Sequence, residues 1–329
     1  MADSDLIRHL RSAVPSQAYR GLIESVLPTL VDCISDIATA LRSSHYVSQA
    51  GTANVFGDDQ LNVDVLAENS IRSAISRCAF VATASSEEDP IERDVQHQQG
   101  SIAATSENYT VAFDPLDGSS IIAPNWTVGT IIGVWQGKTA LNQLPASRQV
   151  AAVLGVYGPR LTAIIAVRVP GSDPLCLEIG IGGNGVRDCE VIRPTVRLAE
   201  SPFKTRYFAP ANLRAAADNE KYMGLVSHFI QNKYTLRYSG GLVPDVVHAL
   251  VKGHGIYISP VTIASRAKLR RLYELFPLAL IIECAGGKAI DPADGTSILD
   301  RALTDLNETA GLVCGTADEV DFVKKALLD

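Results

Sequence analysis

Residues 19–42 carry apolar side chains at Leu22, Ile23, Val26, Leu27, Leu30, Val31, Ile34, Ile37, Ala38 and Leu41. Steps of three and four predict one face of a helix, with a kink at Pro28, which lacks an N–H to donate. A second helix is predicted over 61–78, followed by a short apolar strand, AFVATA, at 79–84. The stretches TVGTIIGVW (127–135), VAAVLGVY (150–157) and LTAIIAVRV (161–169) are apolar almost throughout, as strands buried on both faces are. After about residue 200 the pattern changes. A helix is expected over 212–231, strand YTLRY over 234–238, a break at Gly240–Gly241, helix VPDVVHALVK, strand GIYIS, and a long helix around 268–285 closed by Gly286–Gly287. Strand LVCGT (312–316) and a terminal helix complete the pattern. Layers of helices on mixed sheets make this an α/β (α+β) protein, divided into an N-terminal domain over 1–200 and a C-terminal domain over 201–329.

Composition narrows the partners. The chain has 329 residues and a formal charge of −7, which argues against a nucleic acid or an anionic membrane as partner. No apolar run reaches the ~20 residues of a membrane span, and the first residues, MADSDLIRHLRSAVPSQ, lack the apolar core of a signal peptide. Six cysteines without a C-x-x-C pair suit free thiols in a reducing compartment, so the expected location is cytoplasmic. Sequons at Asn108, Asn125 and Asn307 lack a secretory signal that would give them meaning. Six unpaired histidines make a zinc site improbable, and any metal should be held by oxygen.

The candidate chemistry lies in VAFDPLDGSS (111–120). A short apolar strand delivers Asp114 and Asp117 into a turn forced by Pro115 and Gly118, with Ser119 and Ser120 directly after it. Hard oxygen ligands beside backbone N–H groups are what a divalent cation and a phosphate require together, although a solvated acidic turn uses the same residues. Asp58 and Asp64 in FGDDQLNVDV, Glu87 and Glu88 in SSEED, and Glu274 in KLRRLYELFP bring the set to seven carboxylates. Each has a structural alternative: Asp58 as a helix cap, Glu87–Glu88 as a solvated turn, Glu274 paired with Lys268, Arg270 or Arg271 on its own helix. Their joint occurrence suits two or three divalent ions sharing ligands around one phosphate.

With these motifs in hand, the chain resembles the fructose-1,6-bisphosphatase/sedoheptulose-1,7-bisphosphatase family, within the superfamily that includes inositol monophosphatases. FGDDQLNVDV (56–65), SSEE (85–88), VAFDPLDGSS, TVGTIIGVW and KLRRLYE (268–274) match in the family's order. VYGPR (156–160), PANLRAAADN (210–219) and KYTLRYSGGLVPDVV (233–247) are similar to the sedoheptulose branch. The fructose branch has an N-E-G-Y type segment where this chain has Asn212-Leu213-Arg214-Ala215, and Tyr-Pro where it has Ser259–Pro260.

The resemblance implies a layered α-β-α-β-α sugar-phosphatase fold and hydrolysis of the C1 phosphate of a ketose bisphosphate with Mg²⁺, two or three ions per site and Mn²⁺ as a substitute. The expected substrate is sedoheptulose 1,7-bisphosphate, with the fructose compound as the alternative. Carried over, Glu87, Asp114, Asp117, Glu274 and the Leu116 carbonyl would ligate metal, and Asp58 would join a third position. Asp64 and Glu88 would orient and deprotonate the attacking water. Gly118, Ser119 and Ser120 would hold the scissile phosphate beside Arg270, while Asn212, Tyr238 and Lys268 would contact the sugar and its distal phosphate. Arg237 would reach in from a neighbouring subunit of a homodimer or homotetramer, and from its place in the N-L-R-A segment Arg214 is expected to replace a lost contact. Ala123 stands where the family has an Asp. SQAGTANVFGD lacks the redox cysteine pair of the plant enzymes, and the N-terminal segment lacks the T-G-E motif associated with AMP inhibition. A phosphatase of inositol or nucleotide phosphates and a non-catalytic sugar-phosphate-binding protein are the competing readings.

Overall fold

The computed structural model describes residues 4–53, 59–97, 107–266 and 268–329. Helices α1 (Asp5–Ala13), α2 (Leu27–Ser43) and α3 (Asn62–Ile75) precede an eight-stranded sheet. Its strands are β1 (Val81–Ser86), β2 (Arg93–Asp94), β3 (Tyr109–Asp117), β4 (Val128–Gln136), β5 (Gln149–Tyr157), β6 (Leu161–Val167), β7 (Leu175–Gly182) and β8 (Gly185–Arg193). Spatial order is β8-β7-β6-β5-β4-β3-β1-β2, antiparallel except for the parallel pair β1–β3. The second half runs β9 (Tyr207–Pro210), α4 (Glu220–Gln231), β10 (Thr235–Leu236), α5 (Leu242–Lys252), β11 (Ile256–Ser259), α6 (Phe276–Cys284), β12 (Lys288–Ile290), β13 (Leu312–Gly315) and α7 (Ala317–Leu328). Its five strands form a mixed sheet in the order β10-β9-β11-β13-β12.

The period-2 alternation of β4–β6 explains the layering. Ile132, Val134, Val153 and Ile165 point into a core shared with α2 and α3, while Ile131, Trp135, Leu154 and Ile164 point into a second core built around α6. Helix α6 is buried all round except at Glu283, as a helix pressed between two sheets must be. A third core lies beyond the second sheet, where Tyr222, Leu225 and Phe229 of α4 meet Val320 and Val323 of α7. The result is the α-β-α-β-α layering expected. No helix among the described residues is long and apolar enough to cross a membrane.

Several local expectations change. Where a kink at Pro28 is expected, the chain forms a π turn over Leu22–Val26 with Pro28 in the first turn of α2; a widened turn removes the clash that a proline ring makes with the carbonyl four residues back in a regular α-helix. The long helix expected around 268–285 is divided in the same way: a strand pair at Leu269–Arg270, a π turn over Arg271–Leu275, then α6 with Pro277 in its first turn. The helix expected over 212–231 is a short 3-10 turn, Leu213–Ala217, and then α4, which starts where the Asn219 side chain accepts the Tyr222 N–H. Strand 234–238 is shortened to β10. Helix α1 and the hairpin β7–β8 escape the sequence pattern, the first because only Leu6 and Leu10 anchor a polar helix, the second because a buried Glu178 and glycines interrupt its alternation.

Helix α5 lies on β4 at Gly129, where a Cβ would stand 2.5 Å from the Val243 side chain. Gly129→Ala should therefore force α5 off the sheet and cost about 1–3 kcal/mol. The check is a lower denaturant midpoint at unchanged slope; a midpoint equal to that of the wild type would show that α5 is not seated this closely.

Candidate active site

A bulge at Pro115 brings the two aspartates of β3 to one place. Against β4, Asp114 pairs with Ile131 and Asp117 with Gly129, so β3 holds one residue more than its partner. Proline cannot donate to the ladder, and the slip is the consequence. In a regular strand, residues three apart face opposite sides; the bulge turns Asp114 and Asp117 to the same side. The Pro115 carbonyl is held by the Thr130 hydroxyl at 2.7 Å, and Asp114 Oδ1 accepts the Leu116 N–H at 3.0 Å. Gly118 then turns the chain with φ of 100°, a left-handed conformation that favours glycine.

Two further carboxylates arrive from other elements. In the parallel register Ser86 lies beside Phe113, and the Glu87 N–H donates to the Phe113 carbonyl at 3.0 Å, so Glu87 emerges next to Asp114. Glu274 comes from the π turn before α6 and accepts the Arg270 N–H. Carboxylate oxygens of Asp114, Asp117 and Glu274, all buried, lie within 4.8 Å of one another. Two sources of positive charge face them. Arg270 Nε is 3.2 Å from Glu87, and the first N–H groups of α5 donate to Asp117, Leu242 to Oδ1 at 3.2 Å and Val243 to Oδ2 at 2.7 Å.

That compensation is incomplete. Burial pushes Asp117 up to about 6 and Glu87 up to about 7, and burial together with Glu87, Asp117 and Glu274 raises Asp114 well above the usual carboxylate range. Burial and the neighbouring Glu87 likewise raise Glu274. A buried, oxygen-only donor set at this spacing fits a hard divalent cation, which would relieve the repulsion that raises these groups. Asp64 lies in the first turn of α3, accepts the Leu61 N–H at 2.9 Å and leaves Oδ1 without a hydrogen-bond partner among the described residues. Burial, with a smaller contribution from the charge of Glu88, raises it to about 6.

Thus Glu87, Asp114, Asp117, Arg270 and Glu274 are brought together, Leu116 lies between the two aspartates on β3, and the charge of Glu88 is felt at Asp64. Glu274 makes no ion pair with Lys268, Arg270 or Arg271 among the described residues; it accepts the Arg270 backbone N–H, and the Arg270 charge is felt at it. Asp58 lies outside the described residues. Ser119 and Ser120 are exposed just past Gly118. Asn212, at φ of 47°, is tied at both ends of its amide, donating to the Pro260 carbonyl at 2.7 Å and accepting from the Ser265 hydroxyl at 2.5 Å. Arg214 is exposed, and its charge is felt at Tyr238. Lys268 is exposed. Arg237 is held over the Tyr207 ring and, with Tyr238, Trp126, Asp245 and His248, lines a cleft of about 710 Å³ that contains none of the clustered carboxylates. Sequence reasoning misses Asp245, which accepts Ser239 N–H and Oγ and the Gly240 N–H and so fixes the approach to α5. The only signal for it is an acid four residues after Gly241.

The chain matches the family model described as fructose-1-6-bisphosphatase, N-terminal domain over residues 9–184 and the C-terminal domain model over 201–328. It is 39% identical over 313 residues to the chloroplastic sedoheptulose-1,7-bisphosphatase of Spinacia oleracea, covering 94% of this chain and 74% of that one. It is 32% identical over 324 residues to the class 1 fructose-1,6-bisphosphatase of Syntrophotalea carbinolica, covering 97% and 92%. Among solved structures, a "putative sedoheptulose-1,7 bisphosphatase" from Toxoplasma gondii superposes with a TM-score of 0.85 at 33% identity over 99% of both chains.

The raised carboxyls set the sign of a pH effect. Unfolded, they titrate near 4; folded, Asp64, Asp117 and Glu87 keep their protons to about 6 or 7. The folded state therefore holds protons that the unfolded chain has released, and the metal-free protein should lose stability as pH rises across that window. In chelator, the melting temperature should fall between about pH 5 and 7.5, and an added divalent cation should raise it more at pH 8 than at pH 5. A melting temperature independent of both would contradict a charge-strained site.

Proposed function

The chain belongs to the fructose-1,6-bisphosphatase/sedoheptulose-1,7-bisphosphatase family, and from that premise we propose that this sugar-bisphosphate phosphatase removes the C1 phosphate of sedoheptulose 1,7-bisphosphate with Mg²⁺. The carrying observation is the convergence of Asp114, Asp117 and Glu274 within 4.8 Å. With Glu87 and the Leu116 carbonyl, these residues would hold the ions, and Asp58 would complete a third position. Bound Mg²⁺ supplies charge neutralisation for the phosphate, a lower pKa for the nucleophile and stabilisation of the leaving alkoxide.

The chain's own groups do the positioning. Asp64, with its open Oδ1, and Glu88 orient the attacking water and take its proton. Gly118, Ser119, Ser120 and Arg270 hold the scissile phosphate. Asn212, Arg214, Tyr238 and Lys268 receive the sugar and distal phosphate, and Arg237 serves a neighbouring subunit in a homodimer or homotetramer. In this division of labour residues 1–200 contribute most of the metal and phosphate site, and 201–329 the sugar site and Glu274. The sedoheptulose preference is supported by the higher identity to the spinach sedoheptulose enzyme and by the N-L-R-A segment. Six buried free thiols support a cytoplasmic setting.

Phosphate release from both bisphosphates, with and without Mg²⁺, tests the reading. The sedoheptulose compound should show the higher kcat/KM; equal or better turnover of the fructose compound would sink the preference. Asp117→Asn should cut kcat by about 100-fold or more while the protein stays folded.

A further inference from the structure

Asp64 and Glu88 must be held at a fixed separation to act on one water, yet they sit on different elements, the start of α3 and the turn after β1. Glu68 joins those elements. It lies four residues after Asp64 on α3, hence on the same face. Its Oε1 accepts the Ser86 hydroxyl at 3.0 Å and Arg72 Nε at 2.5 Å. The Ser86 Oγ in turn accepts the Asp89 N–H at 3.0 Å, and the Ser86 N–H donates to the Asp89 carbonyl at 3.2 Å, closing the turn that carries Glu87 and Glu88. Arg72 reaches the far end of that turn, with Nη2 3.5 Å from Asp89 Oδ2, and stands 5.8 Å over the Phe113 ring.

We propose that Glu68 is a positioning residue of the phosphatase reaction: through Ser86 and Arg72 it fixes the 86–89 turn, and so Glu88, relative to Asp64. The inference rests on the proposed roles of Asp64 and Glu88 in handling the attacking water. Stability alone explains the arrangement poorly. An i,i+4 ion pair on a helix adds little to stability, and the Glu68 side chain, 14% exposed, gives up most of its hydration to make it. Ser86, fully buried, offers a hydroxyl whose two bonds define the turn instead.

The test uses the full chain with Mg²⁺ and sedoheptulose 1,7-bisphosphate, comparing Glu68→Ala, Glu68→Gln and Ser86→Ala. Glu68→Ala and Ser86→Ala should each lower kcat by about 10- to 100-fold. KM, Mn²⁺ affinity measured by electron paramagnetic resonance and the melting temperature should stay near wild type. Glu68→Gln keeps an oxygen for the Ser86 hydroxyl and should retain kcat within about threefold. Wild-type kcat in Glu68→Ala overturns the proposal, as does a loss matched by the loss of folded protein. Should Glu68→Ala fail to fold, Ser86→Ala decides by the same criteria. Glu68→Gln as impaired as Glu68→Ala also overturns it, because the charge and not the bracket would then matter. A wild type without metal-stimulated phosphate release brings down the underlying reading instead.

Discussion

Three carboxylates packed into the interior repel one another, and much of the molecule is arranged around holding them there. Asp114, Asp117 and Glu274 are each about nine-tenths buried or more, and none has a dedicated ion-pair partner among the described residues. Such a group of charges is tolerated only where the surroundings prevent escape. The rigid side of the cage is β3, all nine of whose residues are buried. The compensating side is made of partial charges, the end of α5 on Asp117 and single N–H groups on Asp114 and Glu274, together with the Arg270 guanidinium beside Glu87.

This arrangement joins the two halves of the chain. Asp117 belongs to the first sheet, yet its oxygens are bonded to residues 242 and 243, and the loop before α5 is closed by Asp245 on Ser239 and Gly240. Tyr238 directly precedes that loop. The region proposed to read the sugar and the region proposed to hold the metal thus share one short run of backbone. A shift of α5 changes both.

Elements that obey simple periodicity are legible in the sequence, and those that depend on exceptions to it are not. Strands β4–β6 are legible because apolar residues fill both faces, and α2 because its face repeats by threes and fours. The aspartates of VAFDPLDGSS point to their chemistry, but not to how residues three apart come to face the same way, since that needs the slip at Pro115 against β4. Likewise Glu274 reads as a helical residue beside Arg270 and Arg271. Its true setting depends on a widened turn, and on the Arg270 backbone instead of its side chain. Asp245 and Glu68 read as ordinary helical acids, because their partners are 5 or 6 and 18 residues away through loops.

Both π turns among the described residues stand immediately before a helix with proline in its first turn, Pro28 in one case and Pro277 in the other. A π turn amounts to one residue inserted into an α-helix. Removing that residue from 271–275 would restore regular hydrogen bonding, and would also rotate everything on its N-terminal side by about 100° relative to α6. Glu274 would leave the cluster. The helix would become more ordinary and the site would be lost, so this segment is a place where selection for stability and selection for activity pull in opposite directions.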